Sequence, residues 1–514
     1  MFFDDAITVS RELQLVLTGK DCGLPERAPM CGIPHHAADV YIKKLVDKNF
    51  MVAVCEQTED PAKAKGLVKR EVVKVLTPGT ITDGELLDEG ANNYICSFYA
   101  RADECALCFA DVSTGEARLY SFSGKQMTDR AISELSRYMP SEMLINEGFL
   151  TLKDVSTFVR KTLKTTVQLL DENDFLPDIH ADEALSQFSA DSFDELEINP
   201  LSVGAYALCG LFAYIHSTQL ALVKRFTTLI KNDGDPAMTI GFTARRNLEL
   251  TETLRTKEKK GSLLWVLDKT KTSMGKRLMK KYLEQPLINP AAIIERLDAV
   301  EAFVNDPVLL GEITEQLSGI YDIERLMTRV MYQTATPRDL KSLSLTALKL
   351  PDLKKMLAEV PAKLVDKLNR KMSTLEPISN LIENALVDDP PAVLKDGGVI
   401  REGYNEELDG LRNIITGGKD IIEDIEKRER EKTGIKNLKI GYNRVFGYYI
   451  EVTRSNYDLV PDNYVKRQTL KNCERFITEE LKIAENTILG ANEKIVTLET
   501  EIFSEIRKAV AARL

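Results

Sequence analysis

The sequence has little cysteine, histidine or tryptophan and no long apolar run. Its 514 residues include eight cysteines, four histidines and one tryptophan. Eight cysteines are too few for a disulfide framework in so long a chain, which favours a reducing compartment. The N-terminus, Met-Phe-Phe-Asp-Asp, is acidic where a signal peptide is basic. We therefore expect a cytoplasmic protein.

The longest apolar run also argues against a membrane partner. Residues 201–215 are interrupted by Ser202, Gly204 and Gly210. The run is shorter than the roughly 18 to 20 residues that a membrane span requires. It is therefore predicted to form a buried helix.

The spacing of the cysteines and histidines also argues against a metal site. Cys105 and Cys108 form the one C-x-x-C pair, but they lie in an apolar run typical of a strand. A second cysteine pair or paired histidines would be needed to complete four ligands. His35 and His36 are adjacent, so on a helix they would diverge and could not bind one metal from one face. We interpret the two cysteines as small buried residues and predict no metal site.

Positive charge is in slight deficit overall. Lysine and arginine number 68 against 79 aspartates and glutamates, which gives a formal charge of −11. Such a balance excludes a protein that binds polyanions over its whole surface, so any nucleic-acid site must be local. Basic residues are locally concentrated at 63–74, at 269–281, which is predicted to be a solvated helix surface, and at 463–475.

The segment 463–475 is the strongest of these signals. Its cations are Lys466, Arg467, Lys471 and Arg475, opposed by Glu474 alone. Amide and hydroxyl donors stand between them, namely Asn463, Gln468, Thr469 and Asn472. Phosphate oxygens accept hydrogen bonds from such groups, which position a protein on a duplex without reading its sequence.

The sequence predicts no catalytic site. Residues 273–276 and 417–420 faintly resemble phosphate loops but lack the G-x-x-x-x-G-K-[ST] spacing that lets backbone N–H groups bind phosphates. These residues are not expected to hydrolyse ATP. Asp111 lies in a strand turn that resembles the opening hairpin of ribonuclease H-like domains, but no distinct set of carboxylates accompanies it to hold divalent cations. A metal-dependent nuclease of that fold is thus one alternative, and a helical protein-interaction scaffold is another.

The pattern of apolar residues predicts a multidomain protein. At about 100 to 200 residues per domain, the length allows three to five domains. Leu13, Leu15 and Leu17 alternate with polar residues, which predicts an opening strand, and strand and helix patterns then mix as far as about residue 225. After about residue 240, helical patterns dominate, for example at 245–254, 262–283 and 292–304. The fold class is two N-terminal α/β domains followed by an elongated, mainly helical part with a small β-rich insertion at its tip.

The insertion follows a highly charged helix. Residues 404–432 end in seven consecutive charged residues, 426–432. A helix that is polar nearly all round cannot be buried, so this one is expected to project as an arm, or else to be a solvated surface helix. Strand patterns at 438–476 then give way to a helix at Glu479. The apolar stripe of that last helix runs to Leu514 without a terminator, so we expect the chain to be a fragment.

Eight short segments resemble, in order along the whole chain, the bacterial MutS family of DNA mismatch repair proteins. They are 28–37 (APMCGIPHHA), 54–57 (VCEQ), 65–70 (KGLVKR), 77–80 (TPGT), 243–250 (TARRNLEL), 336–340 (TPRDL), 396–400 (DGGVI) and 467–472 (RQTLKN). The resemblance implies a mismatch-binding domain at 1–88, a ribonuclease H-like α/β connector at 89–225, and a helical core and lever at 226–424. It also implies a clamp at 425–478 and a returning lever helix at 479–514.

The chain departs from the family pattern at both ends. The family's Phe-x-Glu element, whose ring wedges beside the mispaired base, would stand immediately before Met1. Phe2 and Phe3 follow that position, and we expect them to pack in the core under the first strand. The family's ATPase domain, which also supplies much of its dimer interface, would begin beyond Leu514. We expect this polypeptide to bind duplex DNA weakly, with little preference for mismatches.

The resemblance also implies site residues and partners. The family clamp pattern assigns Arg467, Lys471, Asn472 and Arg475 to phosphate contacts, and Lys466 is added on charge alone. Weaker candidates in the first domain are Lys65, Lys69 and Arg70. Implied partners are double-stranded DNA with mismatches or small loops, a second copy of the chain, and a MutL-type repair protein. The full-length family is a DNA-dependent ATPase that uses ATP and Mg²⁺, but no cofactor is expected in this chain, and whether it is itself an enzyme stays open.

Overall fold

A computed structural model of the chain describes residues 1–514 except 24, 35–36, 58–67, 164, 219–225, 227, 232–236, 239 and 444–446. The chain divides into two units. The first contains Met1–Thr334 and Thr346–Thr374, and the second contains Ala335–Leu345 and Leu375–Leu514.

The first unit begins with two small antiparallel β-hairpins and two helices. The elements are α1 (Phe3–Leu13), β1 (Thr18–Lys20), β2 (Ala28–Met30), α2 (Ala38–Val46), β3 (Val52–Gln57) and β4 (Arg70–Leu76). Strand β1 pairs with β2, and β3 pairs with β4. A small core of Ala6, Val9, Cys31 and Leu45 holds α1 in place.

The opening residues are helical, so the prediction of a strand there is wrong. Ala6, Val9 and Leu13 follow the helical spacing and pack in one cluster, and this burial outweighs the short alternation around Leu15. The expectation that Phe2 and Phe3 pack in the core is also wrong, because they are 41% and 53% exposed. They precede the turn of α1 that fills the core, and Phe2 bridges to Met30 at the edge of the β1–β2 hairpin.

A six-stranded sheet with helices on both faces follows. Its elements are β5 (Ile95–Arg101), β6 (Glu104–Asp111), β7 (Glu116–Ser123), α3 (Met127–Tyr138), β8 (Glu142–Ile145), α4 (Glu147–Thr151), α5 (Lys153–Thr162), β9 (Thr166–Leu169), α6 (Pro177–Gln187), α7 (Val203–Thr218) and β10 (Leu229–Lys231). The strand order is β10-β7-β6-β5-β8-β9. Side chains of α6 and α7 form the core on one face, and those of α3 and α5 form it on the other.

The buried helix predicted from the apolar run is confirmed in α7. Most of its residues are buried, and they pack against the sheet and α6. At Gly210 a Cβ atom would lie 2.3 Å from the ring of Phe175, so only glycine fits there. Cys105 and Cys108 of β6 are fully buried, which confirms their interpretation as core residues. Burial raises the pKa of the Cys105 thiol to about 12.

A buried carboxylate attaches residues 77–79 to this sheet. Glu142 is fully buried and accepts hydrogen bonds from Thr77 Oγ1 at 2.5 Å, the Gly79 N–H at 2.8 Å and Tyr214 Oη at 2.6 Å. A Cβ atom on Gly79 would lie 2.8 Å from that of Ile95, so the close approach also requires glycine. The segment is thus fixed by directional bonds.

The rest of the chain is mainly helical. Its helices are α8 (Phe242–Asn247), α9 (Leu263–Leu267), α10 (Ser273–Glu284), α11 (Pro290–Asn305), α12 (Pro307–Leu317), α13 (Ile323–Met331), α14 (Pro337–Ala358), α15 (Lys363–Lys371), α16 (Glu376–Ala385), α17 (Glu406–Thr433) and α18 (Glu479–Ala511). Between α17 and α18 lie the four strands β11 (Lys439–Asn443), β12 (Gly447–Thr453), β13 (Val465–Thr469) and β14 (Cys473–Ile477).

Two predicted helices are shorter than expected. The helix predicted at 245–254 ends at Asn247. The helix predicted at 262–283 is divided, because Asp268 Oδ1 accepts from the N–H and hydroxyl of Thr270, and Thr272 then caps a new helix at the Gly275 N–H. Such short-range side-chain bonds compete with helical ones.

Arginines of the helical region bind the segment that joins the first hairpins to the sheet. Arg325 donates from Nη1 to the carbonyl oxygen of Asp88 at 2.9 Å and from Nη2 to that of Ala91 at 2.7 Å. Arg277 donates to the carbonyl oxygen of Glu89 at 3.2 Å. Residues 88–91 are therefore held by buried cations.

The prediction that 269–281 is a solvated helix surface is wrong for Arg277. Its side chain is buried and lies 2.7 Å from Asp322 and 2.6 Å from Glu324. A buried cation must be paired, and these two carboxylates pair with Arg277. Its guanidinium therefore contacts the segment 88–91 and not solvent.

The long helices of the second unit are joined by another buried carboxylate. Helices α17 and α18 are antiparallel and about 42 and 50 Å long at 1.5 Å per residue. Glu499 of α18 is fully buried and accepts from the Gly398 N–H at 2.7 Å and from Arg412 of α17 at 2.8 Å. It thereby connects α18 to the loop before α17 and to α17 itself.

We predict that Glu499→Ala destabilises the second unit by about 3 kcal/mol, because it leaves buried N–H groups and Arg412 without their acceptor. Urea titration followed by circular dichroism, with hydrogen exchange at Gly398 and Val399, measures the effect. Glu501→Ala removes an exposed carboxylate from the same helix and serves as the control. Equal stability of the two variants would contradict the role given to Glu499.

We also predict that Arg325→Met speeds amide hydrogen exchange at Leu86, Leu87 and Ala91 about tenfold, because hydrogen bonds to a charged group contribute about 1.5 to 3 kcal/mol. Mass spectrometry of the peptides over 83–93 measures this. Arg338→Met is the control, since it removes an arginine that donates to the Pro390 carbonyl in the second unit. Unchanged protection at 83–93 would show that Arg325 does not hold the segment.

Candidate nucleic-acid interface

The sheet between α17 and α18 is a four-stranded antiparallel sheet with two distinct faces. Its strand order is β11-β12-β14-β13, so β13 is an edge strand. Ile450, Val452 and Phe476 alternate inward and pack with Ile435 and Leu438. The outward positions, in contrast, carry polar and aromatic side chains.

The edge strand presents Arg467 at a β-bulge. The pairing of β13 with β14 shifts between Lys466 and Gln468, and in this ladder no β14 residue stands opposite Arg467. A bulge of this kind bends the edge and re-aims a side chain. Arg467 is exposed, and Lys466 is 52% exposed but forms an ion pair with Glu474.

Lys471 and Asn472 lie in the turn that joins β13 to β14. The turn is closed by a hydrogen bond from the Leu470 N–H to the Cys473 carbonyl at 2.9 Å, and both turn residues are exposed. The structure therefore places Arg467, Lys471 and Asn472 on one hairpin.

A further cation, Arg454, was missed by sequence reasoning. Its N–H donates to the Asn472 carbonyl at 3.1 Å, and its side chain is exposed. Arg454 lies outside the 463–475 cluster, with no other cation between it and Lys466. The only signal would have been the register of β12 against β14, which pairs Thr453 with Cys473.

Arg475 is held within the sheet. Its Nη1 donates to Gln468 Oε1 at 2.9 Å, its Nε lies 3.4 Å from Glu451, and its guanidinium lies 4.0 Å from the centre of the Tyr449 ring. These partners lie on the two strands that flank β14, namely β12 and β13. Arg475 is thus less available to phosphate than Arg467 or Lys471.

The candidate DNA-binding residues of the first unit form a weaker concentration of positive charge. Lys65 lies outside the described residues. Lys69 is exposed and forms an ion pair with Glu71 at 2.6 Å, and Arg70 is exposed at the start of β4, opposite Gln57. The pairing of Lys69 with Glu71 reduces the net positive charge there.

The charged run 426–432 is solvated on one side only, because Lys427, Arg428, Glu431 and Lys432 are exposed while the other three residues contact the sheet. Glu426 of α17 accepts from the Ile440 N–H at 2.8 Å, and Arg430 donates to the Leu438 carbonyl at 2.7 Å. Glu429 is only 9% exposed and accepts from the Tyr464 hydroxyl at 2.7 Å. The expectation that a helix so polar cannot be buried is wrong for Glu429, whose carboxylate is bonded to Tyr464, but four of the seven charged residues are exposed as expected.

The carboxylate of Asp111 accepts hydrogen bonds at both of its oxygens. It is fully buried and accepts from the Ser113 N–H at 2.9 Å, the Ser113 hydroxyl at 2.7 Å and Asn92 Nδ2 at 2.8 Å. Across the described part of the chain, no group of three or more histidine, cysteine, aspartate or glutamate side chains is arranged to hold a metal ion. Nor does any helix among the described residues have the length and apolar character to cross a membrane.

Three family models match the chain in order. Residues 1–85 match MutS domain I, residues 93–227 match MutS domain II, and residues 243–514 match MutS domain III. The predicted multidomain chain of mixed α/β and helical content is confirmed.

Similar proteins carry the corresponding name. The DNA mismatch repair protein MutS of Ruminiclostridium cellulolyticum is 46% identical over 517 residues, which cover 100% of this chain and 58% of that protein. The protein of the same name from Acetivibrio thermocellus is 44% identical over 514 residues, which cover 100% of this chain and 59% of that protein. The chain thus spans a little under three fifths of the length of these relatives. Because the domain III model alone matches more than half of its residues, the chain belongs to the MutS family.

Proposed function

We propose that this chain takes part in DNA mismatch repair and binds duplex DNA through phosphate contacts made by the β13–β14 hairpin. The observation that carries the proposal is the grouping of exposed Arg467, Lys471 and Asn472 on one hairpin, with Arg454 beside them. These are charged and amide donors, which phosphate oxygens accept from. The name of the relatives, DNA mismatch repair protein, supports the biological setting.

The division of the chain follows the same proposal. Residues 425–478 act as a clamp, and 226–424 with 479–514 act as the helical core and lever that carries it. Residues 1–88 form the mismatch-binding domain, and 89–225 form the connector. The position of β11–β14 between α17 and α18 supports the assignment of clamp and lever.

The chemistry of such a clamp is independent of base sequence. Phosphate contacts release counterions from the duplex, so affinity falls steeply with salt. A mispair is recognised separately, because it is bent and unstacked at a lower free-energy cost than paired DNA. The hairpin thus contributes to holding the duplex, and discrimination arises elsewhere in the protein.

For the whole protein we extend the proposal to the family's other properties. These are binding of mismatched or looped double-stranded DNA, use of ATP and Mg²⁺, a homodimer and a MutL-type partner, and no described residue of this chain is assigned to the ATP or protein partners. The alternatives are not supported. The carboxylate of Asp111 is occupied in its turn, which argues against a nuclease there, and no observation favours a protein scaffold.

We predict that the double variant Arg467→Ala/Lys471→Ala weakens binding to homoduplex and G·T duplex equally. The slope of log K against log salt should become shallower by about 1.8, since each phosphate contact contributes about 0.9. Fluorescence anisotropy of labelled duplexes over a range of salt measures this.

The matched control is Lys363→Ala/Lys371→Ala, which removes the same charge from exposed positions on α15. This control corrects for the change in net charge. If both double variants give the same slope, the hairpin is a solvated face and the proposal fails.

For the first unit, we predict a smaller effect at Arg70. Arg70→Ala should reduce the salt slope by at most about 0.9, the value of one contact, whereas Lys69→Ala should leave it unchanged because Glu71 already neutralises Lys69. The same titration measures both, with Arg27→Ala as an exposed control in this unit. A larger loss for Lys69→Ala than for Arg70→Ala would reverse this assignment.

A further inference from the structure

Polar side chains of α17 and α18 bond to three of the four strands of the sheet or to the residues that lead into them. On the β11 side, Glu426 accepts from the Ile440 N–H at 2.8 Å, and Arg430 donates to the Leu438 carbonyl at 2.7 Å. Glu426 and Arg430 also pair with each other, one helical turn apart. The start of β11 is thus bonded through both a donor and an acceptor.

The same arrangement continues across the sheet. Glu485 of α18 is 9% exposed and accepts from the Tyr448 N–H of β12 at 3.3 Å. Glu429 accepts from the hydroxyl of Tyr464, the residue before β13, at 2.7 Å. Burial and the hydrogen bond to Glu429 raise the pKa of the Tyr464 hydroxyl. We call Glu426, Glu429, Arg430, Tyr464 and Glu485 the helix–sheet junction.

Apolar packing alone would not fix the direction of the sheet. Ile450, Val452 and Phe476 attach it to the helices, but hydrophobic contact is non-directional. Hydrogen bonds are directional, and a buried carboxylate that loses its partner is costly. Since Glu429 and Glu485 are both nearly buried, rotation of the sheet on the helices would remove a hydrogen bond from each of two poorly solvated carboxylates.

We propose that Glu426 and Tyr464 are positioning residues, which set the orientation of β11–β14 on α17 so that Arg467 and Lys471 meet a duplex together. This inference rests on the proposed function of the β13–β14 hairpin. Neither residue contacts DNA in this scheme. The junction keeps the sheet in the binding orientation before the duplex arrives.

A positioning role has a distinct thermodynamic signature. Without the junction the sheet samples several orientations, and binding must select one, which lowers affinity. The same phosphates are still contacted in the bound state, so the salt slope is unchanged. Loss of a contacting cation, in contrast, lowers both the affinity and the slope.

The test uses two variants of the full 514-residue chain, Tyr464→Phe and Glu426→Gln. Tyr464→Phe removes one hydroxyl, and its control is Tyr457→Phe, which removes a hydroxyl from the short helical turn between β12 and β13. Glu426→Gln removes one negative charge, and its control is Glu431→Gln, at an exposed position on the same helix. Anisotropy with a labelled homoduplex gives the Kd, the active fraction and the salt slope, and hydrogen exchange at Ile440 and Tyr448 reports on the junction.

We expect each junction variant to raise the Kd about tenfold relative to its control, with the salt slope and active fraction unchanged and exchange at Ile440 faster. A Kd equal to that of the control would overturn the inference. A lower active fraction at constant Kd would also overturn it, because that result indicates only a loss of folding. A shallower slope would do the same, because it indicates a direct contact.

The two proposals fail separately. If the junction variants bind like their controls while Arg467→Ala/Lys471→Ala lowers the slope, the positioning role is wrong and the DNA-binding hairpin stands. If the hairpin variant binds like its own control, the proposed function fails whatever the junction variants do.

Discussion

Bonding of buried carboxylates to groups distant in sequence is the interaction on which most of this structure depends. Glu142 fixes residues 77–79 to the six-stranded sheet, Glu499 joins α18 to the loop before α17, and Glu429 and Glu485 hold the inserted sheet. In each case a charge that would be costly to bury alone is satisfied by N–H, hydroxyl or guanidinium donors. Because these bonds are directional, they determine how segments are oriented as well as whether they are attached.

An acidic protein needs a local surplus of cations to bind the polyanionic ligand that we propose for it. The net charge is −11, but some of the carboxylates are buried, among them Glu142 and Glu499. Arg467 and Lys471, in contrast, are exposed at an edge strand and a turn. Since electrostatic attraction is screened within about 8 to 10 Å at physiological salt, the local surplus of cations matters more than the total.

Sequence reasoning succeeded where a pattern is local. The buried helix α7, the buried cysteines of β6 and the strands between α17 and α18 follow from short-range periodicity. It failed where a partner that is distant in sequence determines whether a side chain is buried. Glu426 and Glu429 look solvated in the sequence, but they accept hydrogen bonds from Ile440 and Tyr464, and Arg277 looks exposed but is buried and paired with Asp322. Of the candidate interface, the hairpin cations could be named from the sequence, but Arg454 needed the register of β12 with β14, and the internal partners of Arg475 needed the sheet itself.

The bulge frees position 467 of the edge strand from the requirement to pair with β14, which its neighbours must meet. Neighbouring positions must suit β14: Lys466 forms an ion pair with Glu474, and Gln468 accepts a hydrogen bond from Arg475, the residue opposite it. The extra residue faces no such neighbour, so its identity is not restricted by strand pairing. Side chains of different length or charge can therefore be exchanged there over evolutionary time, and the strength of the protein's attraction to its ligand can change while the β-ladder stays intact.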